Sequence, residues 1–203
     1  MATMAVEKPR LQKPRYPAPL MPRGRDWTVD DLEPLPDDGL RYELIDGMLL
    51  VTPAPTYSHQ VAVIGLVLAL GSACPGDLQV VASPIDYQPN GRRSLQPDVA
   101  VVRLSDAPKK NLVLAPLLVV EVLSPSTRRY DTMLKRSLYE ESGVASYWLF
   151  DPNVPTLLVS ELVDGCFVDV AKADGSEEIH VGRPFPVRLC PAELVKGRPP
   201  TRT

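Results

Sequence analysis

The ten residues from Ala115 to Ser124, "APLLVVEVLS", limit most strongly what this chain can fold into. A short, valine-rich run without polar alternation reads as a strand buried on both faces. Glu121 stands inside it. A carboxylate there costs several kcal/mol unless it is ion-paired, hydrogen-bonded or bound to a metal. The fold must therefore bring a partner for Glu121 into its own core.

The rest of the chain supplies the frame. "WTVDDLEPLP" reads as a short helix capped by Thr28, with Asp31 three residues on. "RYELIDGMLLVTP" places Asp46-Gly47 between two apolar runs, a hairpin signal. "TYSHQVAVIGLVLALGSAC" reads as a helix capped by Thr56 or Ser58 and ended near Gly71 to Pro75, apolar enough to predict burial on most sides. Strands are expected over "LQVVASPIDYQ", "QPDVAVVRL" and "APLLVVEVLS". A second helix, "RYDTMLKRSLYEESG", closes at Gly143. "ASYWLFDP" is a further strand, and "TLLVSELV", Asp164-Gly165 and "CFVDVAK" form a second hairpin. "PFPVRL" adds a last edge strand. The sum is an α/β or α+β domain over residues 26–195: a mixed sheet flanked by two main helices, with a β-rich C-terminal extension.

Charge is unevenly spread along the chain. Residues 1–25 carry six Lys/Arg against one Glu, with five prolines, and read as a basic, disordered arm. Residues 196–203 form a second basic tail. Residues 26–195 hold 13 basic and 24 acidic residues, a balance of −11, yet nine of those 13 lie between Arg92 and Arg136. A global nucleic-acid footprint is absent and a local one is available. The cysteines Cys74, Cys166 and Cys190 form no CxxC pair and are read as inert and buried, in a reducing cytoplasmic setting. No signal peptide is visible, and the longest apolar run, Val61 to Leu70, is too short for a membrane span.

Several polar residues are candidates for chemistry. Asp98, after Gln96-Pro97, begins the strand before that of Glu121. If the two carboxylates approach, a divalent cation relieves their repulsion, and oxygen ligands suit magnesium. The plain alternative is that Asp98 caps a turn and Glu121 meets an arginine. Asp131, Lys135 and Tyr139 are spaced by four and line one helical face. They form either an ordinary surface ion pair or a group that sends Lys135 toward the carboxylates. Glu43 lies in a strand before the Asp46-Gly47 turn, where an Arg41 or a lysine partner also explains it. His59 begins the apolar helix, a place more often filled by a hydrogen-bonded histidine than by a ligand. GxxxxGK[ST], GxSxG and HExxH are all absent, which removes the commonest NTPase, serine-hydrolase and zinc-protease readings.

Taken in order, "YELIDGMLL", "SHQ", "QPDVAVV", "LVVEVLSPST", "YDTMLKRSLYEESGV" and "YWLFDP" resemble the Uma-type endonuclease family of the PD-(D/E)XK, restriction-endonuclease-like superfamily. The resemblance covers about residues 26 to 190 and implies a mixed sheet with helices on both sides. It implies that Asp98 and Glu121 bind Mg²⁺ or Mn²⁺. The lysine expected two residues after the acid is Leu123 here, and Lys135 stands where family members carry a migrated lysine. Glu43 resembles the extra acid of the metal site, with His59 and Tyr139 as accessory positions. The implied activity is metal-dependent hydrolysis of DNA by a homodimer, with Arg92, Arg93, Lys109, Lys110, Arg128 and Arg129 on the phosphates. Two rivals stand beside it: an inactive nuclease-fold binding module, motivated by the −11 balance, and a carboxylate-pair glycosidase, disfavoured by 6% aromatic content.

Overall fold

The computed structural model describes residues 24–107, 110–125 and 127–196. Most of the basic arm, most of the tail and Lys109 lie outside these residues. Thr28 donates its amide to Asp31 Oδ2 at 2.8 Å, but the turn it opens is a single 3-10 turn, Val29–Leu32. Strands β1 (Arg41–Ile45) and β2 (Met48–Thr52) pair with Ile45 opposite Met48. Asp46 and Gly47, at φ 48° and 87°, make the two-residue turn that matches strand twist. Helix α1 (Tyr57–Ala73) is capped by Thr56, whose hydroxyl accepts from the His59 amide. The one strand expected over "LQVVASPIDYQ" is two, β3 (Leu78–Ala82) and β4 (Tyr87–Asn90), divided at Pro84, which has no ladder donor. Short β5 (Arg93–Leu95) leads to β6 (Val99–Arg103) and β7 (Leu118–Val122). A wide π-helical turn, Tyr130–Lys135, runs into α2 (Arg136–Glu141), and Gly143 at φ 75° ends it. Then come β8 (Ser146–Asp151), β9 (Thr156–Val163), β10 (Cys166–Asp174), β11 (Ile179–Val181), β12 (Val187–Leu189) and α3 (Pro191–Leu194).

The main sheet has six strands in the order β10-β9-β8-β7-β6-β3, and only the β7–β8 pair is parallel. A second sheet, β2-β1-β5-β4, is antiparallel. The C-terminal strands divide their work: β9 and β10 extend the main sheet, while β11 and β12 form a separate ribbon. Period-two alternation sorts the central strands. Leu118, Val120 and Val122 of β7, with Val99, Val101, Trp148 and Phe150, face α1 and the ribbon. Val119 and Leu123, with Val102, Tyr147 and Leu149, face the other side, against Ile45, Tyr87, Leu138 and Tyr139. Glu121 shares the parity of Val119 and Leu123, so it points to the layer built from β1, β5 and α2.

Two expectations about burial fail. Helix α1 is not buried on most sides, because the sheet, the ribbon and α3 cover one flank and leave Ile64 and Leu68 exposed. The cysteines are not buried either. Cys166 opens the edge strand β10 and is exposed, while Cys74 and Cys190 are half-buried, and all three are free thiols. Among the described residues no helix is long and apolar enough to cross a membrane.

Candidate functional site

The register of β6 and β7 makes the acid pair. Val99 lies opposite Val120 and Ala100 opposite Val119, so one step further along the ladder sets Asp98 against Glu121. Asp98 Oδ2 accepts the Val122 amide at 2.8 Å, which ties the carboxylate to the partner strand. Neither acid takes the partner that strand position alone offers. The arginine goes to Asp98, with Arg41 Nη1 donating to Oδ1 at 2.9 Å. His59 Nε2, brought in by the first turn of α1, lies 3.1 Å from Asp98 Oδ2.

Glu121 is met by the helix after it. Lys135 Nζ is 3.2 Å from Glu121 Oε1, and the Tyr139 hydroxyl donates to the same oxygen at 3.0 Å. Lys135 also contacts Glu43 Oε1 at 2.9 Å and Asp131 Oδ1 at 3.6 Å. The four-residue spacing on that helix therefore lines a buried face, and Asp131 with Lys135 is not a surface pair. Leu123, at the place of the expected lysine, is core. Glu43 accepts the Gln96 amide at 2.9 Å, which holds β1 against the segment leading to Asp98.

Asp98, Glu121, Lys135, Glu43, His59 and Tyr139 thus meet, from β1, α1, the start of β6, β7 and the π turn with α2. Arg41 was read only as a partner for Glu43, and Asp131 only as a member of the Lys135 face, although a signal of a larger role existed for each. Arg41 is two residues from Glu43 on a strand and shares its face. Asp131 is four residues before Lys135 on a helix. The proposed phosphate contacts are placed otherwise. Arg92 pairs with Asp26 at 2.7 Å, Lys110 with Glu33 at 3.3 Å, and Arg128 with Asp151. Arg93 is clamped between Asp46 and Glu141 with its side chain 14% exposed. Arg129 is exposed and has no partner among the described residues.

Burial sets the electrostatics. The cluster holds four carboxylates, Glu43, Asp98, Glu121 and Asp131, against two permanent cations, Arg41 and Lys135, with all but Arg41 buried. Burial opposes ionisation of Asp98, but the His59 hydrogen bond and the Arg41 and Lys135 charges outweigh it and hold its carboxyl at about 2. Glu121 goes the other way: burial first, then the charges of Asp98, Asp131 and Glu43, push it well above the usual carboxylate range despite Lys135. Burial also raises Asp131. Desolvation disfavours the Lys135 ammonium, yet Glu121, Glu43 and Asp131 keep it charged and raise it.

This imbalance bears on a metal. With all four acids ionised, two negative charges are in excess, matching one divalent cation. Asp131 Oδ1 is buried without a hydrogen-bond partner among the described residues, as is His59 Nδ1. A cavity of about 80 Å³ is lined by these acids, Lys135, His59, Thr127 and the Thr52–Thr56 segment, with room for several waters or a hydrated ion. Among the described residues no three His, Cys, Asp or Glu side chains converge as a ready-made cage. Magnesium does not demand one, since it keeps several waters and takes one or two carboxylates. The residues fit such an ion, which Asp98 and Glu121 would hold.

A mixed sheet with one helix on each face and its polar cluster at the head of two central strands is a restriction-endonuclease-like architecture. The chain belongs to the Uma2 family, described as "Putative restriction endonuclease", which matches residues 29–192. The crystal structure of a "putative nuclease" of the DUF820 group from Anabaena variabilis superposes with a TM-score of 0.65 at 21% identity, covering 83% of this chain and 97% of that one. At that identity the likeness establishes the fold. No curated protein matches.

Proposed function

We propose that this chain is a divalent-metal-dependent endonuclease hydrolysing DNA phosphodiester bonds, with Asp98 and Glu121 holding Mg²⁺ or Mn²⁺. The observation that carries it is the arrival of Lys135 at Glu121, 3.2 Å away, from the helix after the strand. That contact supports Lys135 as the lysine of an acid-acid-lysine set whose usual place, position 123, holds leucine. A divalent ion held there supplies Lewis-acid polarisation of the phosphate and a lowered pKa for water.

The chain's own residues do the rest. Arg41, His59 and the Val122 amide fix Asp98 in its ionised form. Tyr139 and Lys135 hold Glu121 at one oxygen. Lys135, kept protonated by three carboxylates, orients the attacking water by hydrogen bonding and stabilises the charge of the pentavalent phosphorane. Asp131 Oδ1, which accepts no hydrogen bond among the described residues, is the carboxylate open to that water's proton. Glu43 holds Lys135 from the opposite side.

The test is cleavage of plasmid and oligonucleotide DNA with Mn²⁺ or Mg²⁺ and with EDTA, for the parent, Asp98→Ala, Glu121→Ala and Lys135→Met. Metal-dependent cleavage lost in all three variants is expected. Cleavage that survives both acid substitutions overturns the proposal.

A further inference from the structure

We propose that the nucleic acid this site takes is a single strand, with bases stacked on Tyr57 and Tyr130 beside the pocket and Arg129 on the neighbouring phosphate. The inference rests on the nuclease reading and names its substrate class. Tyr57 is 86% exposed and directly follows Thr56, which lines the pocket. Tyr130 is 41% exposed and directly precedes Asp131, which lines the pocket from the π-helical turn. Two large aromatic side chains thus stand in water on the two segments that wall one polar cavity. Tyr87, Tyr139 and Tyr147, by contrast, are all buried. Exposed aromatic faces beside a phosphate-handling site are what successive unpaired bases stack on, whereas the bases of a duplex are already stacked on each other.

Two further observations point the same way. Duplex binding draws its affinity from several cations free to neutralise phosphates. Here Arg92, Arg93, Lys110 and Arg128 are each committed to an acid, and only Arg129, next to Tyr130, is unpartnered among the described candidates. The acids and Lys135 also lie at the bottom of the pocket, with Glu121 1% and Lys135 4% exposed. A scissile phosphate must descend to meet them, which a flexible single strand does and a stiff double helix does not.

Fluorescence polarisation of the full chain in EDTA measures binding without cleavage. The probes are a labelled mixed-sequence single strand, its duplex, and the same strand carrying abasic sites. We expect the single strand to bind at least 10-fold tighter than the duplex. Tyr57→Ala and Tyr130→Ala should each weaken it about 5- to 100-fold, the loss of one stacked base, while Tyr→Phe at either position stays within about two-fold. Abasic sites should weaken binding to the parent but not further weaken binding to the alanine variants. Duplex binding as tight as single-strand binding, alanine variants that bind like the parent, or no binding of either form overturns the inference. Mn²⁺-dependent cleavage of the same probes keeps the two readings apart. Cleavage that prefers duplex leaves the nuclease standing and removes this inference; tyrosine-dependent single-strand binding without cleavage does the reverse.

Discussion

Replacing Lys135 by Met keeps the stem that packs under the sheet and removes the ammonium that faces Glu43, Glu121 and Asp131. The cluster then carries one more uncompensated negative charge than the parent. Breaking a buried ion-pair network in this way costs about 3–5 kcal/mol. The protein has one cheaper escape, which is to take up a further proton. For a carboxyl with an unfolded value near 4.3, that costs at most about 3.7 kcal/mol at pH 7, at 1.36 kcal/mol per pH unit. Metal-free Lys135→Met should therefore lose about 3–4 kcal/mol at pH 7, or about 7–15 °C in Tm for a chain of this size. At pH 5.5 the same escape costs only about 1.6 kcal/mol, so the loss shrinks to roughly 3–6 °C. Adding Asp131→Asn removes one negative charge beside the lost ammonium, restores the parent's charge balance and should recover most of the loss. Thermal melts by circular dichroism in EDTA at the two pH values measure all of this. A penalty below about 1 kcal/mol, or one that does not change with pH, refutes the buried-charge reasoning.

Further outcomes follow from the same geometry. The folded protein favours a proton on Glu121, which an unfolded chain releases above about pH 4.3. Metal-free stability should therefore fall as pH rises from there through the raised Glu121 value, and Glu121→Gln should flatten that slope. Asp98 has the opposite sign: held at about 2, it contributes stability that is lost as pH drops from near 4 toward 2. Mn²⁺ displaces the Glu121 proton, so calorimetry in buffers of different ionisation enthalpy should show proton release on binding that disappears in Glu121→Gln. Gly65→Ala, far from the cluster, would place a Cβ 2.3 Å from the Leu194 carbonyl and push α3 off α1. It should cost about 1–3 kcal/mol, read as a lower urea midpoint.

The features legible in the sequence were those with a local chemical cause. Asp46-Gly47 and Asp164-Gly165 announce hairpins because both turns need positive φ at two successive residues, and both have it. Glu121 was conspicuous because its neighbours are apolar, and Asp98 because proline precedes it. Other features depend on partners that arrive from far along the chain. Strands β5 and β11 have three residues each, too few to show a period, and exist only through their pairing. Whether Ile64 and Leu68 are covered depends on what packs on α1, not on α1 itself. Arg93 reads as a free phosphate contact until Asp46 and Glu141, 47 and 48 residues away, close on it. Lys135 lies between these cases: its spacing from Asp131 was visible, but the turn of β7 that aims Glu121 at it was not.

The central claim is that the buried acids hold a divalent cation. Crystals grown with Mn²⁺ and measured at the manganese edge test it most directly. An anomalous peak is expected between Asp98 and Glu121, with oxygens of both carboxylates about 2.0–2.3 Å away and water completing the shell. No peak at millimolar Mn²⁺, with Lys135 still on Glu121 and Glu43, or a peak bound only by surface acids, would contradict it.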